Sequence, residues 1–429
     1  MQDQKQPQRI LFMLALVVAG EAIFGLPFVV ARVFRPTLLE VLDISNTQLG
    51  TAFSIYGVVA MVAYFPGGPL ADRFPARKLM TAALLSTALG GIIYASTPSF
   101  ATLKLLFGFW GCTTILLFWA AMIRATREWG GDDSQGKAFG ILDGGRGLFA
   151  AVLATLTVVL FGALMPENPD TATLAQKAGA LSQVIWIFMG MTVLAGVLVW
   201  FFVPENTKTN TAARHPSVTP AQVLTVVRNP AVWLQALIVV TAYTGYKGID
   251  GLGLYAQDVF GFDQVQAAQV GTLAFWVRPF AAFGAGALGD RFGGAKTIVA
   301  CFGVMIIGDL VIATGMLQPS IPVTLFVTVV ATSAAVYAVR GLYFALFGEA
   351  QVPAALTGTA AGLVSVVGYT PDIFMGPLMG YFLDNYEGAT GHQYFFAAQA
   401  GFAAIGLVCT LGFVALAKRN AQRVTSATT

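Results

Sequence analysis

Ionisable side chains that interrupt long apolar runs are where this chain could do chemistry: Glu21, Arg32, Asp143, Arg146, Lys247, Asp250, Arg278, Asp309, Arg340 and Asp372. A charge at the centre of a bilayer costs at least about 2.5 kcal/mol, so such residues face a partner or a polar cavity. Asp143 and Arg146 are three residues apart, as are Lys247 and Asp250; each pair shares a helical face and can neutralise itself locally. Glu21 and Arg32 also share a face, but eleven residues separate them by about 16 Å along a helix axis. Glu21 must therefore find another helix, a water or a proton. Arg278 and Arg340 have no acid one turn away, and Asp372 has no base nearby in sequence. Two readings satisfy the same burial penalty: cross-helix ion pairs, or arginines that bind an anion while Asp372 or Glu21 carries a coupling proton.

Six bases (Arg32, Arg35, Arg146, Lys247, Arg278, Arg340) face five acids (Glu21, Asp143, Asp250, Asp309, Asp372) at span depth, an excess that one anion would complete. Tyr243, Tyr246, Tyr255, Trp276, Tyr337, Tyr343 and Tyr369 cluster in sequence beside these charges. A small-solute site needs hydroxyls and flat apolar faces together, and Tyr246 and Tyr369 each lie within three residues of a charge. Catalysis has no comparable constellation. Two histidines and three scattered cysteines offer no metal centre or disulfide framework, and neither GxSxG nor GxxxxGK[ST] occurs. No cofactor is expected, and a net charge of +3 is too small an excess to point to nucleic acid.

The elements that must position these residues are membrane helices. Of 429 residues, 56% are hydrophobic and 10% charged, with a mean hydropathy of +0.73, against about 25% charged in soluble domains. The runs approach or exceed the ~20 residues that a helix needs to span a bilayer and do not alternate as barrel strands do. Twelve spans are predicted, six in 1–203 and six in 230–429, flanking a polar central loop at 204–229. An even number of spans puts both termini on one side. Lys5, Arg9, Arg73, Arg77, Lys78, Arg127, Lys137, Lys208, Arg214, Arg228, Arg291, Lys296, Lys418, Arg419 and Arg423 fall on that side, against Lys104 and Lys177 on the other, so it is cytoplasmic by the positive-inside rule. The expected location is the cell membrane, the inner membrane in a bacterium, with the chain a monomer.

The halves repeat. GPLADR at Gly68–Arg73 is echoed by GALGDR at Gly286–Arg291, QLGT at 48–51 by QVGT at 269–272, and GKAFG at 136–140 by GTAAG at 358–362, at offsets of 218, 221 and 222. Three matches in one order argue for two pseudo-symmetric six-helix bundles. The string GPLADRFPARK at 68–78 resembles the signature loop of the major facilitator superfamily, and GALGDRFGGAK at 286–296 is its second copy. Pro75 replaces the usual glycine in the first copy, and Ala295 replaces an arginine in the second. The resemblance implies alternating access by two rocking halves without ATP hydrolysis. Asp72 with Arg73 and Arg77, and Asp290 with Arg291, then read as gating latches at helix ends, or as solvated loops that enforce topology.

A narrower resemblance, in VARVFRP at 30–36 followed by QLG at 48–50, is to the organophosphate:phosphate antiporter and related anion transporters. It implies that bases on the first and seventh spans hold an anion. Arg32 matches the first and Lys247 the second, where lysine lacks the bidentate fork that suits phosphate. The resulting expectation is a secondary transporter for a small organic anion, by exchange or proton coupling, with Arg32, Lys247, Arg278, Arg340, Tyr246 and Tyr369 at the substrate. Glu21, Asp143, Arg146, Asp250 and Asp372 would carry protons or ion pairs. The alternative is a proton-coupled exporter of cationic or neutral compounds.

Overall fold

The computed structural model of the chain describes residues 6–131, 135–205, 220–349 and 357–428. Lys5, Lys208, Arg214 and most of the central loop lie outside them. The described residues are helical, with no strand among them: α1 (Gln6–Phe24), α2 (Val30–Val33), α3 (Arg35–Leu42), α4 (Asn46–Arg73), α5 (Ala76–Ala95), α6 (Phe100–Gly111), α7 (Ala120–Gly130), α8 (Gln135–Leu164) and α9 (Leu174–Phe202) come first. After the central loop follow α10 (Pro220–Val227), α11 (Pro230–Gly248), α12 (Leu252–Phe260), α13 (Gln264–Phe292), α14 (Gly294–Ala313), α15 (Pro322–Leu342), α16 (Leu346–Glu349), α17 (Thr357–Gly368), α18 (Pro371–Asn385) and α19 (Ala389–Thr428).

Nine helical segments among the described residues are long and apolar enough to cross a membrane. The predicted seventh, eighth and eleventh spans correspond to α11–α12, α13 and α17–α18, which fall short of that standard. Gln235, Tyr243, Tyr246 and Lys247 dilute the apolar character of α11, and the eleventh is broken after Gly368, ahead of Pro371, because a residue before proline is driven from helical angles. Departures from regular α-helix also sit beside the charges. A π-helical turn at Gly25–Val29 contains Pro27, which cannot donate a backbone hydrogen bond, and it delivers α2 with Arg32. A 3₁₀ turn at Ile249–Gly251 carries Asp250. Starts are set by local chemistry: Ser45 and Gln48 form a capping box on α4, and Thr173 and Gln176 do the same on α9, satisfying N–H groups that a helix leaves orphaned.

The chain gathers into two compact units. The first holds Met1–Thr209, Asp250–Pro279 and Asp372–Asn385; the second holds Asn210–Ile249, Phe280–Pro371 and Tyr386–Thr429. In the first unit α5 packs on α9, α4 on α6, and α1 on α8 and α9. Its core is apolar, with Phe34, Phe107, Trp110, Phe161 and Phe188 at its centre. In the second unit α14 packs against α15 and α19, and α11 against α15, α17 and α19. Large apolar side chains such as Phe65, Leu105, Phe280 and Phe283 remain exposed, as expected of surface that lipid covers rather than water.

Within the first unit, α18 lies hard against α4. A Cβ on Gly50 would collide with the backbone of Gly376, one on Gly380 with Thr47, and one on Gly57 would sit 2.8 Å from the Asp372 carbonyl carbon. Small residues at such a crossing let two helices approach backbone to backbone, which is how membrane helices gain packing energy.

Candidate functional site

In the first unit Arg32, Arg146 and Arg278 meet acids. Arg32, which is 3% exposed, donates through Nε to Asp250, and its guanidinium lies 5.4 Å from the centre of the Phe275 ring. Asp250 is thus held by Arg32, an ion pair that spacing along one helix could not reveal. Glu21 solves its isolation across helices: Arg146 Nε is 3.3 Å and Arg278 Nη1 3.5 Å from its Oε2. Arg278 Nη2 also donates to Asp143 at 3.0 Å, while the local Asp143 to Arg146 contact is looser at 4.0 Å. Two acids and two bases from α1, α8 and α13 therefore close on one another. Gly147 makes room for this, since a Cβ there would sit 3.3 Å from the Arg278 stem. Phe24 and Trp119 flank the Arg146 guanidinium, each ring centre 5.9 Å away.

Further polar links tie the segments of this unit together near the turn before α4. Arg35 donates to Asn46 Oδ1 through Nε and Nη2 at 3.1 and 2.9 Å. Asp384, at the end of α18, accepts from the backbone N–H groups of Asn46 and Thr47 at 3.0 and 2.7 Å, seating a carboxylate on the positive end of α4. Burial would raise the Asp384 carboxyl, but bonds from Thr47, Ser45 and Asn46 outweigh it and hold the group below the usual range. Glu40 accepts from Lys177 at 2.8 Å and from Gln264 at 2.6 Å. The sequence reading missed Asp384, Asn46 and Gln264; a carboxylate just past a predicted span was its only signal.

The second unit treats its charge differently. Arg340 lies on α15 with its Cζ 3.7 Å from the Tyr246 ring centre and 5.4 Å from that of Tyr243. Tyr243 also packs edge-on against Tyr369 at 5.1 Å, Tyr246 against Tyr337 at 6.1 Å, and the Tyr343 and Tyr369 hydroxyls are 3.4 Å apart. Aromatic faces attract a guanidinium but accept none of its in-plane N–H bonds, and Arg340 Nη1 is buried with no hydrogen-bond partner. Tyr243, Tyr246, Tyr369 and Arg340 are each partly exposed. Lys247 is buried at 3% exposure on α11. Of the anticipated substrate residues, Lys247, Arg340, Tyr246 and Tyr369 belong to the second unit, whereas Arg32 and Arg278 belong to the first and hold acids. Asp372 lies at the start of α18 against Gly57.

In the motif loops, Asp72 and Arg73 are exposed, and a Cβ at Gly68 would meet nothing. Arg77 pairs with Glu205 and stacks 5.0 Å from the Trp200 ring centre, while Lys78 reaches Glu205 at 2.7 Å. The bond from Lys78, with the nearby Arg77, lowers the Glu205 carboxyl below its ordinary value. In the second copy Gly286, Asp290 and Arg291 are exposed, and Gly293 supplies a positive φ of 94° at the turn into α14, a conformation that favours glycine.

The family model described as Major Facilitator Superfamily matches residues 10–371. The chain is 26% identical over 392 residues to the inner membrane protein YqcE of Escherichia coli K12, covering 90% of each chain. It is also 26% identical to the probable nitrate/nitrite antiporter NarK1 of Thermus thermophilus, over 73% of this chain and 72% of that one. Its fold matches a variant of the nucleoside transporter NupG with a TM-score of 0.73 at 13% identity, covering 95% of this chain and 99% of that one. A bacterial homologue of the human lysosomal transporter Spinster gives 0.72 at 16% identity, with 97% and 98% covered. With its membrane helices, its doubled signature loop and a family match over most of its length, the chain belongs to the major facilitator superfamily of multi-pass membrane transporters.

Proposed function

We propose that this transporter moves a small organic anion by alternating access, through exchange or proton coupling, and that the anion binds at Arg340. The observation that carries the reading is the contrast in charge pairing. Arg32, Arg146 and Arg278 of the first unit hold acids, while Arg340 presents a buried, unpartnered Nη1 beside the Tyr243 and Tyr246 rings. A carboxylate or similar oxyanion would complete that donor with a charge-assisted bond, the tyrosine hydroxyls and ring faces would take its body, and Lys247 would add a second positive charge. NarK1, a probable nitrate/nitrite antiporter, is a relative whose named solutes are small anions.

The chain then works as two six-helix bundles, 1–203 and 230–429, with termini and central loop in the cytoplasm of a bacterial inner membrane and a monomer as the working unit. In this arrangement the Arg32 to Asp250 pair, the α4 to α18 seam and the Asp384 cap form the closed outer gate, and Asp72 and Asp290 latch the inner side. The test is counterflow in liposomes with labelled lactate, gluconate and benzoate. Wild type exchanges at least one of them and Arg340→Gln does so with much weaker affinity; transport of cationic dyes with none of the three acids would overturn the reading. Outside labelling of a cysteine placed at Ser217, which lies outside the described residues, checks the orientation, and efficient labelling would reverse it.

A further inference from the structure

Asp309 is a carboxyl that neither the ion-pair network nor the anion site uses. It is 8% exposed and lies on the buried stripe of α14 formed by Phe302, Met305 and Ile312. Among the described residues no hydrogen bond or ion pair engages it. Among residues whose side chains are described, the charged groups on the elements that pack against α14 are Lys247 of α11, Arg340 of α15, and His392, Lys418 and Arg419 of α19. The tyrosines there are Tyr243 and Tyr246 of α11, Tyr337 of α15 and Tyr394 of α19. None of these pairs with it among the described residues.

Five contacts fix what surrounds it. Phe302 fills the space over Gly406, and Gln393 lies against Gly315, so α14 and α19 run antiparallel in a register that sets Asp309 opposite Gln399. Thr332 lies against Gly308, which brings Ser333 of α15 to the same level. Met305, one turn before Asp309, reaches Gly245 of α11, and Gln399 Nε2 donates to the neighbouring Thr244 carbonyl at 3.0 Å. Gln399 Oε1 and Ser333 Oγ are both buried without a hydrogen-bond partner. One level of the second unit therefore gathers a carboxyl, an amide oxygen and a hydroxyl, each with bonding capacity to spare.

Their chemistry selects the missing species. A carboxylate and an amide oxygen are both acceptors only, so a hydrogen must come between them. Rotation of the Asp309 side chain, which bonds neither group in this structure, would let a protonated carboxyl donate to Gln399 Oε1 while its carbonyl accepts from the Ser333 hydroxyl, satisfying all three groups and removing a buried charge. Sodium would need more oxygens than these, and α14, α15 and α19 are unbroken here, so their backbone carbonyls are spent within the helices.

We infer that Asp309, with Gln399 and Ser333, binds the coupling proton of this carrier, a deepening that rests on the transporter reading above. Infrared titration of the purified protein in lipid nanodiscs tests the site without a solute. Wild type should show a protonated-carboxyl stretch that titrates reversibly, Asp309→Asn should lack it, and Gln399→Met should shift it. Pyranine-loaded liposomes with lactate, gluconate and benzoate test the coupling. Wild type should move protons with the solute, and Asp309→Asn should keep counterflow within a few-fold while losing accumulation driven by a pH gradient. A stretch that survives in Asp309→Asn, undiminished gradient-driven accumulation in that variant, or accumulation driven by sodium would overturn the inference. Should Asp309→Asn fail to fold, Asp309→Glu must keep a titrating band at a shifted frequency, and its absence would overturn the inference equally. A titrating band in a protein that carries none of the three acids would sink the anion reading and leave the proton site standing.

Discussion

Arginines of the two units meet different partners. In the first, Arg32, Arg146 and Arg278 each meet a carboxylate from another part of the chain, so the charges hold helices together and leave little with which to bind a solute. In the second, Arg340 meets tyrosine rings, which stabilise a guanidinium without neutralising it. Two arginines equally out of place in a membrane sequence thus take different roles, decided by whether an acid or an aromatic face stands opposite.

The sharpest break of this contrast is Arg32→Gln. It removes the Arg32 bond to the buried Asp250 and should destabilise the protein by up to about 3 to 5 kcal/mol, read as a lower melting temperature in detergent. Arg32→Gln with Asp250→Asn should recover most of that loss, and a double variant no better than the single one would deny the pair its role. Arg340→Gln should behave in reverse. It removes a bond to solute worth roughly 1.5 to 3 kcal/mol, lowering affinity on the order of ten- to a hundredfold, with a melting temperature close to wild type. A large stability loss with unchanged affinity would move Arg340 into the structural class.

Gly50→Ala asks whether the first unit depends on close packing as well as charge. Its new methyl would enter the Gly376 backbone, at a cost of roughly 1 to 3 kcal/mol, and trapping by cysteine cross-links should show the α4 to α18 contact depopulated. An unchanged cross-linking yield would mean that the seam tolerates a Cβ. The smallest effect is expected from pH. Because the folded Asp384 carboxyl is depressed, its stabilisation is complete above the ordinary carboxylate value and disappears as pH falls through the lower folded value. Asp384→Asn should therefore flatten the acid side of a melting-temperature profile slightly and leave the neutral side lower than wild type; a profile identical to wild type would remove the cap from the gate.

Much of this was legible in one dimension. Membrane helices follow from composition and run length, because lipid tolerates little else. The repeat of Gly68–Arg73 at Gly286–Arg291 pointed to the family that the match over residues 10–371 bears out. The list of misplaced charges could also be drawn up directly, since each carries the same burial penalty wherever it lies.

Partnership was beyond the sequence. Asp250 accepts from Arg32, 218 positions away. Glu21 finds Arg278 across 257 positions, and Asp384 finds the first turn of α4 across 338. Helical periodicity states which residues share a face and nothing about which helix that face meets. Composition and spacing therefore determined the fold class and which residues had to find partners, while the tertiary packing alone decided which arginines were neutralised, which one was left among tyrosines, and which carboxyl was left without a base. The reason is physical: a charge in a membrane protein is satisfied through space within a few ångströms, and the chain reaches that space only after its helices have packed.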